Sequence, residues 1–394
     1  MGFLSGGVTI ARYRITSDPS GNFGDSHIES LIDNAIGSKT GNIYEEPDVG
    51  FLGGAHLLDT EFSPEKNILG DAMHFGVRID SCQIPSPIKR AWMHQELVGL
   101  MKDSEPGSRP NKAQKTEAKE AVEARCAVEA GKGNFKKMGE TSLLWDATTD
   151  TLMVSTASEK TCDYCLGLLE NAFGVEFQKL TSGTLALEWA DEAEVNADMF
   201  ATTPTSFHEH SGGGVVWWNG MSDNYDFLGN EFLLWLWWNW ETNSNVIALS
   251  DGSEVSGMFA RSLSLDCPDG EHGKESISSE SPVALPEAAL AIRMGKLPRK
   301  AGLTLVRNGE KYDFALQAET FALGSARISP ADESADRSRD VNDRIESVRQ
   351  LCETVDLLFA AFCEKRIGKK WNGELKKMTQ WLALETRLKR QRAA

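Results

Sequence analysis

Val8-Thr-Ile-Ala-Arg-Tyr-Arg-Ile15 alternates apolar and polar side chains, the period of a strand with one buried face. Met73-His-Phe-Gly-Val-Arg-Ile-Asp80 repeats that pattern. Between them, residues 17–63 are rich in Gly, Asn and Asp, with helical spacing over 26–36. The second strand runs into Ile84-Pro-Ser-Pro-Ile-Lys-Arg-Ala91, where each proline pushes its predecessor out of helical geometry and makes a turn. Periodicity then predicts a helix over 88–101, a polar break over 103–110 and a helix over 112–130. Residues 142–155 read as a hairpin turning through Asp146-Ala-Thr-Thr-Asp150. A helix capped by Ser158 or Thr161 ends near Gly174, and Thr184-Leu-Ala-Leu-Glu-Trp189 reads as a strand.

In the second half, Phe232-Leu-Leu-Trp-Leu-Trp-Trp238 has no polar alternation and reads as a fully buried element. It belongs to a stretch over 215–240 that holds six of the 11 tryptophans, at 217, 218, 235, 237, 238 and 240. Residues 245–265 and 303–321 read as hairpins, the second turning at Asn308-Gly309, with a polar loop over 266–280. After a polar linker over 329–339, Ile345, Val348, Leu351, Val355, Leu358, Phe359 and Phe362 recur at helical spacing. A last helix, from Trp371 to about Arg390, buries Trp371, Leu375, Met378 and Leu382 and exposes its Lys/Arg. There is no internal repeat. This order predicts an α+β fold of antiparallel sheets with flanking helices. Its divisions are an N-terminal α+β lobe with a basic helix (1–200), a Trp-rich, mainly β lobe with extra hairpins (201–330) and a C-terminal helical segment (331–394).

Composition narrows the classes. A chain of 394 residues, 41% hydrophobic and 25% charged, can hold more than one core and is ordinary for a soluble globular protein. Its longest apolar run is too short to span a bilayer, and Met1-Gly-Phe-Leu-Ser-Gly-Gly has neither the basic start of a secretory signal nor a myristoylation pattern. A cytoplasmic protein with no membrane partner is expected. Seven cysteines, mostly within apolar patterns, predict free buried thiols. A net charge of −17 disfavours a polyanionic partner unless the cations are segregated. Residues 86–137 hold 11 Lys/Arg against 7 Asp/Glu, and residues 364–394 hold 10 against 3. The other 311 residues therefore carry −28.

Lys112, Lys115 and Lys119 fall on one helical face, where three cations repel unless something anionic faces them. The competing reading is a solvated face laced with ion pairs to Glu117, Glu120 and Glu123. Phe135, between Lys132 and Lys136-Lys137, either stacks on a base or wedges beside a duplex, or else plugs the end of the preceding helix. Lys369 and Lys370, in Lys365-Arg-Ile-Gly-Lys-Lys-Trp371, fit a phosphate contact, a dimer contact or a solvated helix end. The tryptophans read as core or subunit interface. Cys162-Asp-Tyr-Cys165 has redox-pair spacing, but both cysteines share a helical face with Leu166, Leu169 and Phe173, which reads as buried thiols. A zinc site would need further ligands such as His208, His210, Cys267 and His272, without a second paired-Cys spacing. Nucleophile-elbow, P-loop and dinucleotide motifs are absent, so no catalytic residue, metal or cofactor is expected.

Pro85-Ser-Pro87, the basic helix, Asn134-Phe-Lys-Lys-Met138 and Leu143-Leu-Trp-Asp146 occur in this order, which resembles the bacterial recombination-associated RdgC family. The likeness covers most of the first 190 residues, needs a one-residue insertion before Leu143, and extends more loosely to the C-terminal helices. Glu231-Phe-Leu-Leu-Trp-Leu-Trp-Trp238 is similar to a segment of longer members. Residues 266–329, including Gly295-Lys-Leu-Pro-Arg-Lys300, depart as extra β structure, and the family pattern has no cysteines at 162 and 165. The resemblance implies a non-enzymatic protein that binds double-stranded DNA without sequence preference, a curved monomer closing as a ring-shaped homodimer. It further implies a place in the nucleoid and restraint of RecA, indirectly through shared DNA. Taken with the basic runs, the candidate DNA-binding residues are Lys89, Arg90, Lys112, Lys115, Lys119, Lys132, Phe135, Lys136, Lys137, Lys369 and Lys370, the resemblance adding support for the α-helical lysines and Phe135. Two other classes remain: a thiol- or zinc-dependent enzyme using Cys162/Cys165, and a protein-interaction scaffold using the Trp-rich lobe.

Overall fold

The computed structural model describes residues 2–17, 22–37, 43–102, 108–205, 207, 224–267, 273–328 and 337–392. They are α+β, with antiparallel strand pairing and flanking helices. Contacts group the chain into two units. The larger comprises Met1–Pro19, Thr148–Ala157 and Phe177–Ala394; the smaller comprises Ser20–Ala147 and Ser158–Glu176. This grouping interleaves segments, whereas the sequence-based divisions at 200 and 330 are linear.

With elements numbered along the whole chain, the larger unit begins with β1 (Val8–Ile15), β6 (Thr151–Val154), β7 (Phe177–Lys179), α6 (Ser182–Glu192) and α7 (Asn196–Phe200). It continues through α8 (Phe227–Thr242), β8 (Val246–Ala248), β9 (Glu254–Asp266), β10 (Glu275–Ser279), a 3₁₀ turn (Pro282–Ala284) and α9 (Pro286–Arg293). It ends with β11 (Leu297–Arg307), β12 (Glu310–Gln317), β13 (Leu323–Arg327), α10 (Arg337–Ile367) and α11 (Trp371–Arg392). Its strands run in the order β10-β9-β11-β12-β13-β1-β6, with β7 on β1 and β8 on β9. The β11–β12 turn forms at Asn308-Gly309, both left-handed (φ 53° and 87°), as a two-residue hairpin loop requires.

The run Phe232–Trp238 is helical, within α8, and buried on every side. The seven apolar positions of α10 are all buried. Phe232, Phe321, Phe359 and Phe362 meet with ring centroids 4.7–6.0 Å apart. Burial of each such ring contributes about 1.5–3 kcal/mol. Trp235, Trp237 and Trp238 are core, while Trp217 and Trp218 lie outside the described residues.

Among the described residues, four arginines are buried in this unit. Arg12 donates to both oxygens of Asp356 at 2.6 Å. Arg307 pairs with Asp251 at 2.6 Å and Glu353 at 2.7 Å. Arg366 pairs with Glu231, and Arg344 donates to main-chain carbonyls. Asp356, Glu353, Arg366 and Arg344 all belong to α10, so these contacts pin the long helix along its length.

Two expectations are corrected here. Residues 184–189 are helical, not a strand: Thr181 accepts from the Thr184 N–H while its own N–H donates to Thr184 Oγ1 at 2.8 Å. That reciprocal cap starts α6, and Ser182, Leu185, Ala186 and Ala190 then share a buried face. The polar loop expected over 266–280 contains β10, paired from Glu275↔Leu265 to Ser279↔Arg261. Its polar side chains suit an edge strand, where alternation carries no strong apolar signal. Of the linker expected over 329–339, residues 329–336 lie outside the described residues and α10 already begins at Arg337.

The smaller unit holds α1 (Asp25–Asp33), β2 (Asp48–Leu52), α2 (Pro64–Asn67), β3 (Ile68–Leu69) and β4 (Ala72–Cys82). It also holds α3 (Ser86–Leu100), α4 (Lys112–Gly131), β5 (Lys136–Asp146) and α5 (Glu159–Phe173). Strands pair β2–β4–β5, all antiparallel, with β3 on β4. α5 ends at Gly174, left-handed at φ 67°. Its Phe173 ring packs edge-on to Trp145 with centroids 5.2 Å apart. Among the described residues, no helix is long and apolar enough to cross a membrane.

Candidate nucleic-acid interface

Helices α3 and α4 form an excursion between two strands that are themselves neighbours. β4 and β5 stay in register from Ala72↔Asp146 to Cys82↔Lys136, and Gln83 N–H donates to Phe135 O at 3.0 Å. α3 carries Pro87 in its first turn, where a missing N–H costs nothing. α4 opens with a capping box: Gln114 N–H donates to Asn111 Oδ1 at 2.8 Å, and Asn111 N–H to Gln114 Oε1 at 3.0 Å. Gln114 Nε2 also donates to Leu100 O at 3.4 Å, tying the start of α4 to the end of α3. Ile84, Trp92, Val122 and Cys126 form the hairpin's own small core.

Phe135 belongs to that core. Its half-buried ring lies edge-on to Trp92, centroids 6.3 Å apart, on a left-handed backbone at φ 61°. This contact fits a ring that plugs the end of α4, while its partial exposure leaves ring surface open to solvent.

The basic side chains separate into two groups. Lys112, Lys115 and Lys119 are exposed at the hairpin tip, together with Lys102 and Arg109. Lys119 makes an exposed 3.9 Å pair with Glu123, worth about 0–1 kcal/mol. Lys89, Arg90, Lys132, Lys136 and Lys137 are near the base. Lys115 and Lys132 are 17 positions apart, about 25 Å along a helix axis. The base cations are largely engaged: Lys132 pairs with Glu129 at 2.9 Å, and Lys89 sits over the Tyr44 ring at 5.4 Å.

Lys136 is 2.8 Å from the buried Asp80, which Arg78 also holds at 2.7 Å. Burial pushes the Asp80 carboxyl up, but hydrogen bonds from Arg78 and Lys136 outweigh that and hold it below its ordinary value. Lys136 is thus part of the β4–β5 framework. Arg90 and Lys137 are exposed. Lys369 and Lys370 are exposed in the turn between α10 and α11, in the other unit.

The tip has an electrostatic oddity. Lys112 and Lys115 sit in the first turn of α4, which has no acidic residue, at the positive end of the helix dipole. Cations there are destabilising by some tenths of a kcal/mol, whereas an anion would be attracted. Lys102 and Arg109, which the sequence reading did not single out, extend this exposed basic tip. Their signal was the same charge run, read only as a balance.

Cys162 and Cys165 are buried on the inner face of α5 with Leu168 and Leu169. Burial, with Cys162 nearby, pushes the Cys165 thiol up to about 12, the opposite of an activated nucleophile. Among the described residues, no three His, Cys, Asp or Glu side chains are placed to hold a metal. His208, His210 and His272 lie outside them.

No protein-family model matches this chain, and no curated protein matches it.

Proposed function

We propose that this protein is a non-enzymatic, sequence-independent binder of double-stranded DNA that engages phosphates with the tip of the α3–α4 hairpin. The observation that carries the reading is the first turn of α4. There Lys112 and Lys115 add to the helix dipole in a first turn that holds no acidic residue, while a small apolar core holds the hairpin in shape. Lys369 and Lys370 are proposed as a second, separate contact. In keeping with the RdgC resemblance, two copies close around the duplex in the nucleoid and restrain RecA by occupying DNA that both need.

Changing Lys112, Lys115 and Lys119 together to Glu should weaken binding to every duplex by about tenfold or more. The slope of log K against log[salt] should flatten by about 0.9 for each phosphate that is no longer neutralised. Phe135→Ala should instead lower the melting temperature and leave that slope alone, because the ring packs on Trp92. Unchanged binding in the triple variant, or a strong preference for one sequence in the wild type, would sink the DNA reading. Sedimentation that shows only monomer at micromolar concentration, with and without duplex, would remove the ring.

A further inference from the structure

The four buried arginines of the larger unit are not alike. Arg12, Arg307 and Arg366 each have a carboxylate partner, as burial of a charge requires. Although burial pulls on Arg12, Asp356 holds its guanidinium above the ordinary value. Arg344, only 9% exposed, has no carboxylate partner among the described residues. It donates to Phe3 O at 2.6 Å, to Ile328 O at 3.4 Å and to Gly2 O at 3.5 Å, and makes a short bond to Gly6 O. Burial pulls its pKa below the ordinary value, with nothing opposing it. Carbonyl dipoles satisfy its N–H groups in part, but among the described residues no carboxylate compensates its charge.

That charge lines a pocket of about 470 Å³. The pocket is also lined by Lys311 of β12, Arg327 of β13 and the backbone of Gly6-Gly7. Gly6 is left-handed at φ 69°, so glycine is needed there and leaves main chain bare at the rim. Among the described lining residues one is acidic, Asp313, and it is already shared by Arg261 at 3.1 Å, Lys311 at 3.7 Å and the Thr304 hydroxyl at 2.6 Å. Three cations against one committed carboxylate make a net positive recess on a chain of net charge −17. A fixed guanidinium with flexible cations at the rim suits a tetrahedral oxyanion.

We propose that this pocket binds a phosphate group, either on a small molecule or on nucleic acid. None of the hairpin residues takes part, so this proposal and the DNA reading can fail independently. Titration calorimetry and thermal shift with inorganic phosphate, a 5′-nucleoside monophosphate and a short duplex, at fixed ionic strength, test it. The wild type should bind at least one of the three saturably, and Lys311→Ala with Arg327→Ala should weaken that binding about tenfold. Both side chains are exposed, so the double variant should melt like the wild type when no ligand is added.

Loss confined to phosphate and mononucleotide would identify a small-molecule ligand, and loss confined to duplex would identify backbone phosphate; either supports the pocket. Equal binding by the double variant and the wild type overturns it, as does the absence of saturable binding by all three probes. A third variant, Asp332→Asn with Glu333→Gln and Asp336→Asn, removes the acids that follow Ile328 in the chain. Phosphate binding that appears only in this variant would also overturn the proposal, because the chain's own carboxylates would then be the occupant.

Discussion

Glu231→Ala is expected to cost about 3–5 kcal/mol of stability, the usual penalty for removing one side of a buried ion pair. Glu231 is 2% exposed in α8 and Arg366 is 8% exposed near the end of α10. The carboxylate accepts from Arg366 Nε, from Thr205 N–H at 2.7 Å and from Thr205 Oγ1 at 3.2 Å. Arg366 in turn donates to Thr203 O at 2.7 Å and stacks over Trp371 at 4.9 Å. Without Glu231 the buried guanidinium loses its counter-charge, and a main-chain N–H loses its acceptor as well. Urea unfolding measures the loss. Glu231→Leu combined with Arg366→Met should recover most of it, because an apolar pair of similar volume needs no counter-charge. A single variant that loses less than about 1 kcal/mol would show that the pair is solvated and not buried. The consequence reaches function, since Arg366 lies just before Lys369 and Lys370 and anchors the turn that presents them.

Elements with strong local periodicity were legible in the sequence. The seven apolar positions of α10 repeat at helical spacing without interruption, and the Asn308-Gly309 turn needs left-handed backbone that those residues supply. Local pattern failed where two periods coincide. Leu185, Leu187 and Trp189 alternate like a strand, yet the Thr181–Thr184 cap and the small face of Ala186 and Ala190 decide for a helix. Phe232–Trp238 could be read as buried but not as helical, because an element apolar on every side carries no phase.

In the candidate interface, the exposed stripe Lys112, Lys115, Lys119 was visible as spacing along one helix. The commitment of Lys136 was not, because its partner Asp80 is brought alongside by β4–β5 pairing across the whole hairpin insertion. The Arg344 pocket was hidden for the same reason, since its cations come from β12, β13 and α10 and share no local motif.

Between pH 6.5 and about 4, the smaller unit is expected to lose about 3 kcal/mol through one side chain, His74. It lies on β4, 3% exposed, with Nε2 2.8 Å from the Ser142 hydroxyl on β5. Gly54, at φ 92°, presses on the ring so closely that an added Cβ would sit 2.9 Å from its Cε1. Burial first, and then the positive charge of Lys66, lower the imidazole pKa from 6.5 to about 4. The native ring therefore stays neutral down to about 4, while the unfolded chain takes up a proton below 6.5. Its contribution is complete above 6.5 and falls by about 1.36 kcal/mol per pH unit as the medium is acidified toward 4.

Asp59 and Asp80 sit below their ordinary values because hydrogen bonds from Lys66, Arg78 and Lys136 outweigh burial. Their contributions are lost only at lower pH than His74's. His27, lowered by burial, acts in the same direction as His74 but is common to wild type and variant. Urea midpoints for wild type and His74→Gln at about pH 7, 6, 5 and 4.5 isolate the effect: the wild type should lose stability steeply and the variant should lose far less. Parallel curves would mean that the ring is protonated in the native state and that the buried reading is wrong.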